Sequence, residues 1–337
     1  MPRFPEAPDA ALIRATNRKG NRDSASRRGH GTTRRDELEG SGRPGHAPLT
    51  PDAPDTPEAD PGQPGPGQRW STWRSVAKGQ RGPEPVPGWL VTRDAAFDTE
   101  LGILKTGKEA DAYLLERALP PGTPTRDPDE PASCLLVAKR YRSLDHGQFH
   151  RGSEYTEGRK VRRTRDQRAV DDRKSAWGRA VSATQWADAE FVALREAWSA
   201  GACVPYPVQI DGTEVLMEFV GAQEVDDDGV RLVAAPRLTR ERPSDDLLES
   251  YWEQLVHTMS VLARLGFAHG DLSPYNILAD GERLVVIDLP QVVDLVANPF
   301  ASDVLLRDCR TVCAWFAARG LDVDADALFA DLLGQAL

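Results

Sequence analysis

The apolar positions of this 337-residue chain change their spacing along its length. Few occur between residue 1 and about residue 87, where Pro, Gly, Arg, Asp, Ser and Thr dominate. A segment with so little to bury cannot offset the entropy lost on ordering. We therefore expect residues 1–87 to be a disordered tail and the folded part to begin near Gly88.

Short apolar runs separated by turns follow the tail and predict β-strands. One helical pattern interrupts them: from Trp186 to Trp198 apolar side chains recur at three- and four-residue spacing, and Gly201 follows as a helix stop. We predict a twisted antiparallel sheet with one helix over residues 88–221. The predicted strands lie at 89–92, 101–104, 112–115, 134–141, 208–210 and 215–221.

A longer helical period dominates the rest of the chain. One pattern begins at Ser244 and ends at Gly266, and two more follow at 305–316 and 328–333. The sequence therefore predicts an α+β fold of two lobes: an antiparallel-sheet lobe at 88–221 and a mostly helical lobe at 222–337. An acidic, strand-poor segment after Gly221 is predicted to be the hinge between them.

One lysine and one glutamate lie at positions where a charge needs explaining. Lys139 shares a strand face with Val137 and Tyr141, and Glu190 falls inside the apolar stripe of the predicted helix. A carboxylate turned toward a core needs a cation, and Lys139 is the natural candidate. Such a pair positions the α- and β-phosphates in protein kinases. The alternative is a lysine that extends to solvent.

Asp271, Asn276 and Asp288 carry the candidate chemistry. Asp271 and Asn276 have the D-x-x-x-x-N spacing, and an apolar run at 283–287 leads to Asp288. In phosphoryl transfer one acid orients the attacking hydroxyl, while an amide and a second carboxylate hold Mg²⁺. The short motif alone is also compatible with a polar turn that joins two strands.

Two further segments are candidates for holding a nucleotide. Thr106, Gly107 and Lys108 form a polar turn between strands, in which backbone N–H groups can approach phosphates. Taken alone, the single glycine there is equally typical of a hairpin turn. The backbone groups of Glu218 and Val220, just before the predicted hinge, could pair with the edge of an adenine.

Taken together, these motifs resemble the RIO-type atypical protein kinases over about two thirds of the chain. The resembling segments are TGKEA at 106–110, VAK at 137–139, the helix start from Trp186 to Glu190, MEFVG at 217–221, DLSPYN at 271–276, IDLPQ at 287–291 and LRDC at 306–309.

The resemblance implies roles for the candidate residues. Asp271 would be the catalytic acid/base, and Asn276 and Asp288 would bind Mg²⁺ or Mn²⁺. Lys139, oriented by Glu190, would contact the α- and β-phosphates of ATP. In this family the residue matching Asp288 has also been assigned a transient phosphoaspartate role linked to ATPase activity.

The sequence departs from ordinary protein kinases in three ways. It lacks the G-x-G-x-x-G loop, and Leu289-Pro290 rather than Phe-Gly follows Asp288. Only 49 residues follow Asp288 in the 337-residue chain, without an Ala-Pro-Glu motif. We therefore expect little room for the subdomain with which ordinary kinases bind peptides.

Three functions remain open. The leading one is ATP-dependent transfer to a serine or threonine hydroxyl of a protein partner or of the chain itself, with ATP hydrolysis. A small-molecule phosphotransferase of the aminoglycoside or choline type is the second. The third is a nucleotide-gated scaffold on RNA or a ribosomal subunit, which the basic insertion at about 147–183, with its Arg159–Lys174 run, would contact.

Composition narrows the setting. A formal net charge of −10 and a pI near 5.2 argue against a surface that binds nucleic acid throughout. The N-terminus lacks the apolar core of a secretory signal, and no apolar run is long enough to span a bilayer. Four dispersed cysteines are expected to be free thiols. We expect a cytoplasmic protein without a membrane partner.

Overall fold

A computed structural model describes residues 63–124, 127–142, 176–226 and 229–336. Most of the predicted tail, residues 1–62, and most of the basic insertion, residues 143–175, lie outside the described residues. Among the described helices, none is both long and apolar enough to cross a membrane.

The N-lobe is built on a six-stranded sheet in which all neighbouring strands are antiparallel. The central strands are consecutive hairpin partners, as the alternation of apolar runs and turns predicted. In spatial order the strands are β1 (Gln68–Trp70), β2 (Phe97–Thr106), β3 (Ala110–Ala118), β4 (Ser133–Tyr141), β6 (Glu214–Glu218) and β5 (Pro207–Asp211).

Alternate residues of β4 and β6 face opposite sides of this sheet. On the inner side, Tyr141 and Met217 join the core that continues into the C-lobe. Helix α1 (Ala176–Ser199) packs against this side and contributes Phe191 to the same core. On the outer side, Leu136 and Leu216 belong to a separate cluster. Lys139 therefore emerges on the side that faces α1 and the other lobe.

Residues 68–82, here called the strap, cover the outer side of the sheet. The strap begins as β1 on the edge of β2 and ends beside β5, where Gly82 N donates to Val208 O at 2.8 Å. Between these ends Trp73 is 6% exposed and packs in the outer cluster. The predicted start of the fold near Gly88 is therefore wrong, because the strap carries few apolar residues but buries the ones that it has.

Two other predictions in this lobe need correction. Residues 89–92 form no strand: Leu90 and Val91 are buried against the outer side of the sheet, but their backbone pairs with no neighbour in sheet register. The basic insertion was predicted to end near residue 183, whereas α1 already begins at Ala176. Propensity alone does not separate a buried loop from a strand.

A polar network ties the strap to the sheet. Arg117 and Asp98 are fully buried, and the Arg117 guanidinium donates to both Asp98 carboxylate oxygens at 2.6 and 3.0 Å. Gln209 accepts from Arg117 at 3.1 Å and donates to Thr72 of the strap at 2.6 Å. A buried charge pair of this kind tolerates little displacement of its partners.

In its described residues the C-lobe contains three α-helices and pairs of short strands. The helices are α2 (Asp245–Arg264), α3 (Ala301–Ala317) and α4 (Ala325–Ala336), and α4 packs on both of the others. Three two-stranded sheets accompany them: β7 (Gly221–Asp226) with β8 (Gly229–Ala234), β9 (Phe267–Ala268) with β12 (Val293–Asp294), and β10 (Ile277–Asp280) with β11 (Arg283–Val286).

The segment after Gly221 is a hairpin rather than a strand-poor linker. Strands β7 and β8 pair in continuous register from Gly221 opposite Ala234 to Asp226 opposite Gly229. The acidic composition concealed this strand pair. The predicted boundary between lobes at residue 222 thus falls inside β7, and the hinge proper is the short stretch at 219–220 between β6 and β7.

Candidate phosphoryl-transfer site

Lys139 lies at the centre of the candidate site. Its ammonium group donates to Glu190 Oε1 of α1 and to Asp288 Oδ1 of the C-lobe, both at 2.6 Å. The contact with Glu190 is the one that the sequence predicted. The contact with Asp288 was not predicted, and it makes Lys139 the point where the sheet, the helix and the C-lobe meet.

Tyr141 completes this arrangement. It lies two residues after Lys139 on the same strand face, and its hydroxyl donates to Glu190 Oε2 at 2.5 Å. Both carboxylate oxygens of Glu190, whose side chain is 1% exposed, are therefore bonded. A buried carboxylate held from both sides fixes the position of Lys139.

The charges of the cluster are strongly coupled. Burial raises the pKa of Glu190, and the nearby Lys139 works against that rise. Burial acts to lower the pKa of Lys139, but Glu190 and Asp288 outweigh it and hold the pKa above its ordinary value. Burial likewise opposes ionisation of Asp288, yet Lys139 keeps the pKa of this carboxyl below its usual range. The ammonium of Lys139 and the carboxyl groups of Glu190 and Asp288 therefore shift one another's pKa values.

Asp288 has a backbone conformation that few non-glycine residues adopt. Its φ is +71°, and it is the non-glycine residue with positive φ in the described part of the chain. Asp tolerates the left-handed region better than most side chains, but the conformation still has an energetic cost. The turn aims its carboxylate back toward Lys139.

The loop that carries Asp271 is fastened to the segment before Asp288. His269 Nε2 lies 3.0 Å from Ile287 O, and Ile287 N donates to Asn276 O at 2.9 Å. Gly270 has a φ of +90°, and a Cβ there would lie 2.3 Å from the Gln291 carbonyl oxygen. Only glycine fits this approach, so the glycine of the His-Gly-Asp motif is required by packing.

Asp308 of α3 holds the same loop through hydrogen bonds to its backbone. Its carboxylate accepts from Gly270 N at 2.8 Å and from Leu272 N at 3.1 Å, one donor on either side of Asp271. Arg307 also donates to the Gly270 carbonyl. Burial raises the pKa of Asp308, although the nearby His269 and the two backbone donors oppose that rise. Asp308 is thus a positioning residue for the Asp271 loop.

Asn276 and Asp271 present different atoms to the cleft. Asn276 is buried and donates through Nδ2 to the Asp271 carbonyl at 2.9 Å, which leaves its amide oxygen for another partner. Asp271 is exposed, and its carboxylate makes no hydrogen bond or ion pair with any described residue. Both loop residues that the sequence singled out therefore offer an oxygen.

The turn at 106–110 is only partly available for phosphate. Gly107 N already donates to Ala110 O at 2.9 Å, and the Gly107 carbonyl accepts from Arg142. Thr106 ends β2, and Lys108 is exposed on the turn. Glu109, half-buried beside them, has a pKa raised by burial and by the charge of Asp288. The turn therefore lies over the Asp288 region, with its glycine N–H already used.

Two backbone groups at the hinge, the N–H of Glu218 and the carbonyl of Val220, are already hydrogen-bonded within the protein. Glu218 N donates to Tyr206 O at 2.9 Å, and the Val220 carbonyl accepts from Ala235 N at 3.0 Å. The Glu218 side chain is also engaged, since it accepts from Arg283 of β11 at 2.6 Å. Among the described residues, Val220 N–H has no backbone partner. This donor is the hinge N–H group for which the described backbone supplies no acceptor.

Sequence reasoning missed three contributors. The sequence patterns include Tyr141 and Asp308 but predict no role for either residue. They include Glu109 only as a member of a polar turn. Asp308 carried a usable signal: it is an acid beside Cys309 within an apolar helical stripe, where a charge needs partners. Glu109 carried no such signal, because acidic residues are common in polar turns.

Replacing Asp308 by asparagine is expected to loosen the Asp271 loop. An amide can accept only one of the two backbone N–H groups, and its own NH₂ meets the other donor. We expect a loss of about 1–3 kcal/mol in the free energy of unfolding and a lower kcat with little change in the KM for nucleotide. Urea unfolding and steady-state kinetics measure the two effects.

The control for this variant is Asp303→Asn, an exposed acid at the start of the same helix. It should leave both quantities unchanged. An Asp308→Asn variant that matches the control in kcat would show that the two backbone bonds do not position the loop.

Comparison with known proteins places the chain in a family. A family model for the RIO domain matches residues 147–328, more than half of the chain. A RIO-type serine/threonine-protein kinase Rio1 of Haloferax volcanii is 32% identical over 247 residues, which cover 73% of each chain. The chain belongs to the RIO kinase family. Its enzyme class is accordingly that of an atypical serine/threonine protein kinase, and the sheet lobe and helical lobe are those of a protein-kinase-like fold.

Other relatives share shorter stretches. The serine/threonine-protein kinase RIO1 of Chaetomium thermophilum is 33% identical over 149 residues, which cover 42% of this RIO kinase and 27% of the fungal protein. A solved structure of a Rio2 kinase–ADP/Mg²⁺–phosphoaspartate complex, also from Chaetomium thermophilum, aligns with a TM-score of 0.44 at 19% identity, over 70% of this chain and 62% of that one. The family assignment depends on the sequence matches alone.

Proposed function

We propose that this RIO kinase transfers the γ-phosphoryl group of ATP to a serine or threonine hydroxyl, on a protein partner or on the chain itself. The observation that carries the proposal is the Lys139 ammonium held at 2.6 Å by both Glu190 and Asp288. A lysine fixed by a helix glutamate beside a metal-binding aspartate is how kinases hold the phosphates of a nucleotide. Family membership supports the same chemistry.

Asp271 is proposed as the group that receives the hydroxyl proton. Its carboxylate is exposed at the cleft, while its backbone is held by the bonds of Asp308 to the two neighbouring residues. A carboxylate with no other hydrogen bond in the described chain is free to accept one from a substrate hydroxyl. It would orient the hydroxyl oxygen toward the phosphorus and take up the proton as the new bond forms.

Asn276 and Asp288 are proposed to hold Mg²⁺ or Mn²⁺. Asn276 has its amide oxygen uncommitted, and Asp288 is bonded to Lys139 through Oδ1, which leaves Oδ2. No cluster of three or more His, Cys, Asp or Glu side chains poised for a metal occurs in the described part of the chain. Two oxygen donors still suit Mg²⁺, which commonly takes one or two protein ligands and completes its shell with phosphate and water. When bound, the ion neutralises phosphate charge.

The adenine is proposed to lie against the hinge. Val220 is buried in a small apolar cluster with Ala235 and Val285, and Leu278 and Ile287 pack beside it. The cluster supplies an apolar surface, and Val220 N–H and the Glu218 carbonyl are the groups proposed to meet the edge of the base. The turn formed by Thr106, Gly107 and Lys108 would then cover the phosphates. Its contacts would come mainly from the side chains of Thr106 and Lys108, because the Gly107 N–H is already bonded.

We propose ATP hydrolysis as an accompanying activity. In this activity a carboxylate oxygen of Asp288 would attack the γ-phosphorus, the bond to the β-phosphate oxygen would break and ADP would leave. Water then attacks the resulting acyl phosphate, which releases inorganic phosphate and regenerates the carboxylate. Asp288 is suited to this role because its side chain is 39% exposed and its lowered pKa keeps it ionised.

Phosphosite mapping after incubation with radiolabelled ATP and Mg²⁺ tests the proposal. Unaltered protein should label itself or a protein substrate at serine or threonine, and Asp271→Ala should not, while retaining ATP affinity. Trapping with hydroxylamine would detect label on an aspartate, which Asp288→Ala should lose. Turnover in Asp271→Ala at the level of the unaltered protein would refute the assignment.

Two other outcomes of the same assay point to different functions. Transfer to aminoglycosides or choline, but not to protein, would indicate a small-molecule phosphotransferase. ATP-dependent, salt-sensitive binding of RNA without any phosphoprotein would indicate a scaffold on a ribosomal subunit, with contact through the Arg159–Lys174 run outside the described residues.

A further inference from the structure

Lys105 shares a row of the sheet with Lys139. In the strand register, Lys105 of β2 pairs with Ala112 of β3, and Ala112 pairs with Lys139 of β4. Directly paired residues of an antiparallel sheet project from the same face, with neighbouring strands about 4.8 Å apart. The two lysines are therefore separated by about 10 Å of backbone, with only the methyl group of Ala112 between them. Lys105 projects over the face that carries the Lys139 cluster.

Arg237 approaches the same region from the C-lobe. Its backbone forms a bridge with Leu278, two residues after Asn276, and Ala279 N donates to Pro236 O at 2.9 Å. Two residues earlier, Ala235 N donates to the Val220 carbonyl of the hinge at 3.0 Å. Arg237 is half-buried and thus lies between the proposed adenine surface and the proposed metal ligands.

The charge of Arg237 acts on Lys105. Burial lowers the pKa of Lys105, and the charge of Arg237 lowers it further, whereas Asp288 opposes the change. Burial also lowers the pKa of Arg237, again against the pull of Asp288. Neither side chain makes a hydrogen bond or a close ion pair with any residue in the described ranges. Two neighbouring cations without a bonded counter-ion would be relieved by an anion bound between them.

We propose that Lys105 and Arg237 form a second phosphate clamp, which grips the nucleotide phosphates from opposite lobes. The inference rests on the proposed function, since it takes the ligand to be ATP. Lys139 contacts the phosphates from the centre of the sheet. Lys105 reaches them from β2, and Arg237 reaches them across the cleft with a planar fork suited to phosphate oxygens. This clamp makes affinity depend on the phosphate chain more than on the base.

Calorimetric titration with ATP and with adenosine, both in Mg²⁺, tests the clamp. The variants are Lys105→Gln and Arg237→Gln, and the control is Arg240→Gln, an exposed arginine three residues on. Each clamp variant should lose at least about tenfold in ATP affinity, the usual effect of removing a hydrogen bond to a charged group. Adenosine affinity should stay within about twofold, which also shows that the variant is folded. Arg237→Lys should retain part of the ATP affinity because it keeps the charge.

Two results would refute the second clamp alone, and a third would refute the proposed function as well. Unchanged ATP affinity in both clamp variants, or equal losses for ATP and adenosine, would refute the second clamp while leaving the proposed function intact. Absence of ATP binding by the unaltered protein would refute the proposed function itself, and the clamp with it. The Arg240→Gln control separates a local effect at Arg237 from a general loss of positive charge.

Discussion

Asp271→Asn is expected to lower kcat for phosphoryl transfer by about 10²- to 10⁴-fold, the range for loss of a positioned general base. Asparagine keeps the size and the loop bonds but cannot take up the proton of the attacking hydroxyl. The affinity for ATP should stay within about twofold, because the proposed phosphate and metal contacts belong to other residues. Single-turnover kinetics with labelled ATP and a separate binding titration give the two values.

The matched control for Asp271→Asn is Asp303→Asn, which removes an exposed carboxylate from the same lobe. It should retain full activity. A kcat for Asp271→Asn close to that of the control would contradict the role of Asp271, and a parallel fall in ATP affinity would assign it to binding.

Lys139→Met is expected to have the second large effect, on both nucleotide binding and stability. Glu190 is 1% exposed, so removal of the ammonium leaves a buried carboxylate without its cation. We expect a loss of about 3 kcal/mol in the free energy of unfolding, the lower end of the range for a broken buried pair, because Tyr141 still donates to Glu190. ATP binding should weaken strongly as well, since the proposed central phosphate contact is gone.

The stability loss in Lys139→Met should shrink as the pH falls. In the unaltered protein burial raises the pKa of Glu190, and Lys139 holds the rise in check. Without Lys139 the pKa rises further, so the folded variant takes up a proton more readily than the unfolded chain does. Its stability therefore increases, relative to the unaltered protein, as pH drops through that raised pKa. Urea unfolding at several pH values measures this trend.

A second substitution distinguishes an unpaired charge from lost packing. The double variant Lys139→Met with Glu190→Gln removes both charges and should recover most of the stability at neutral pH, while nucleotide binding stays weak. Lys78→Met, at an exposed lysine of the strap, is the neutral control. If the double variant is no more stable than Lys139→Met, the loss has another origin.

The sequence predicted the parts of the site that arise from periodicity. Glu190 was found because a carboxylate interrupted an apolar helical stripe, and Lys139 because it stood on an apolar strand face; they bond to each other. The contact of Asp288 with Lys139 could not be predicted from the sequence. It depends on how the two lobes meet and on the left-handed backbone conformation of Asp288. No local pattern encodes either.

The missed elements share a physical cause. The strap and the β7–β8 hairpin are polar segments that gain order from what they pair with or cover, so their composition resembles that of loops. The position of Arg237 could not be predicted for the same reason. A single arginine in a polar stretch carries no pattern, and it is the backbone bridge to Leu278 that places Arg237 at the cleft.

The strap has a further consequence, which concerns association rather than chemistry. Edge strands with open hydrogen-bonding groups are templates for pairing with another chain. Here β1 occupies the edge of β2, and the end of the strap covers β5 through the bridge between Arg81 and Gln209. A shortened chain that began at Gly88 would expose both edges of the nucleotide-facing sheet at once. The strap, whose composition resembles that of a dispensable tail, therefore prevents the sheet of this lobe from pairing with strands of other molecules.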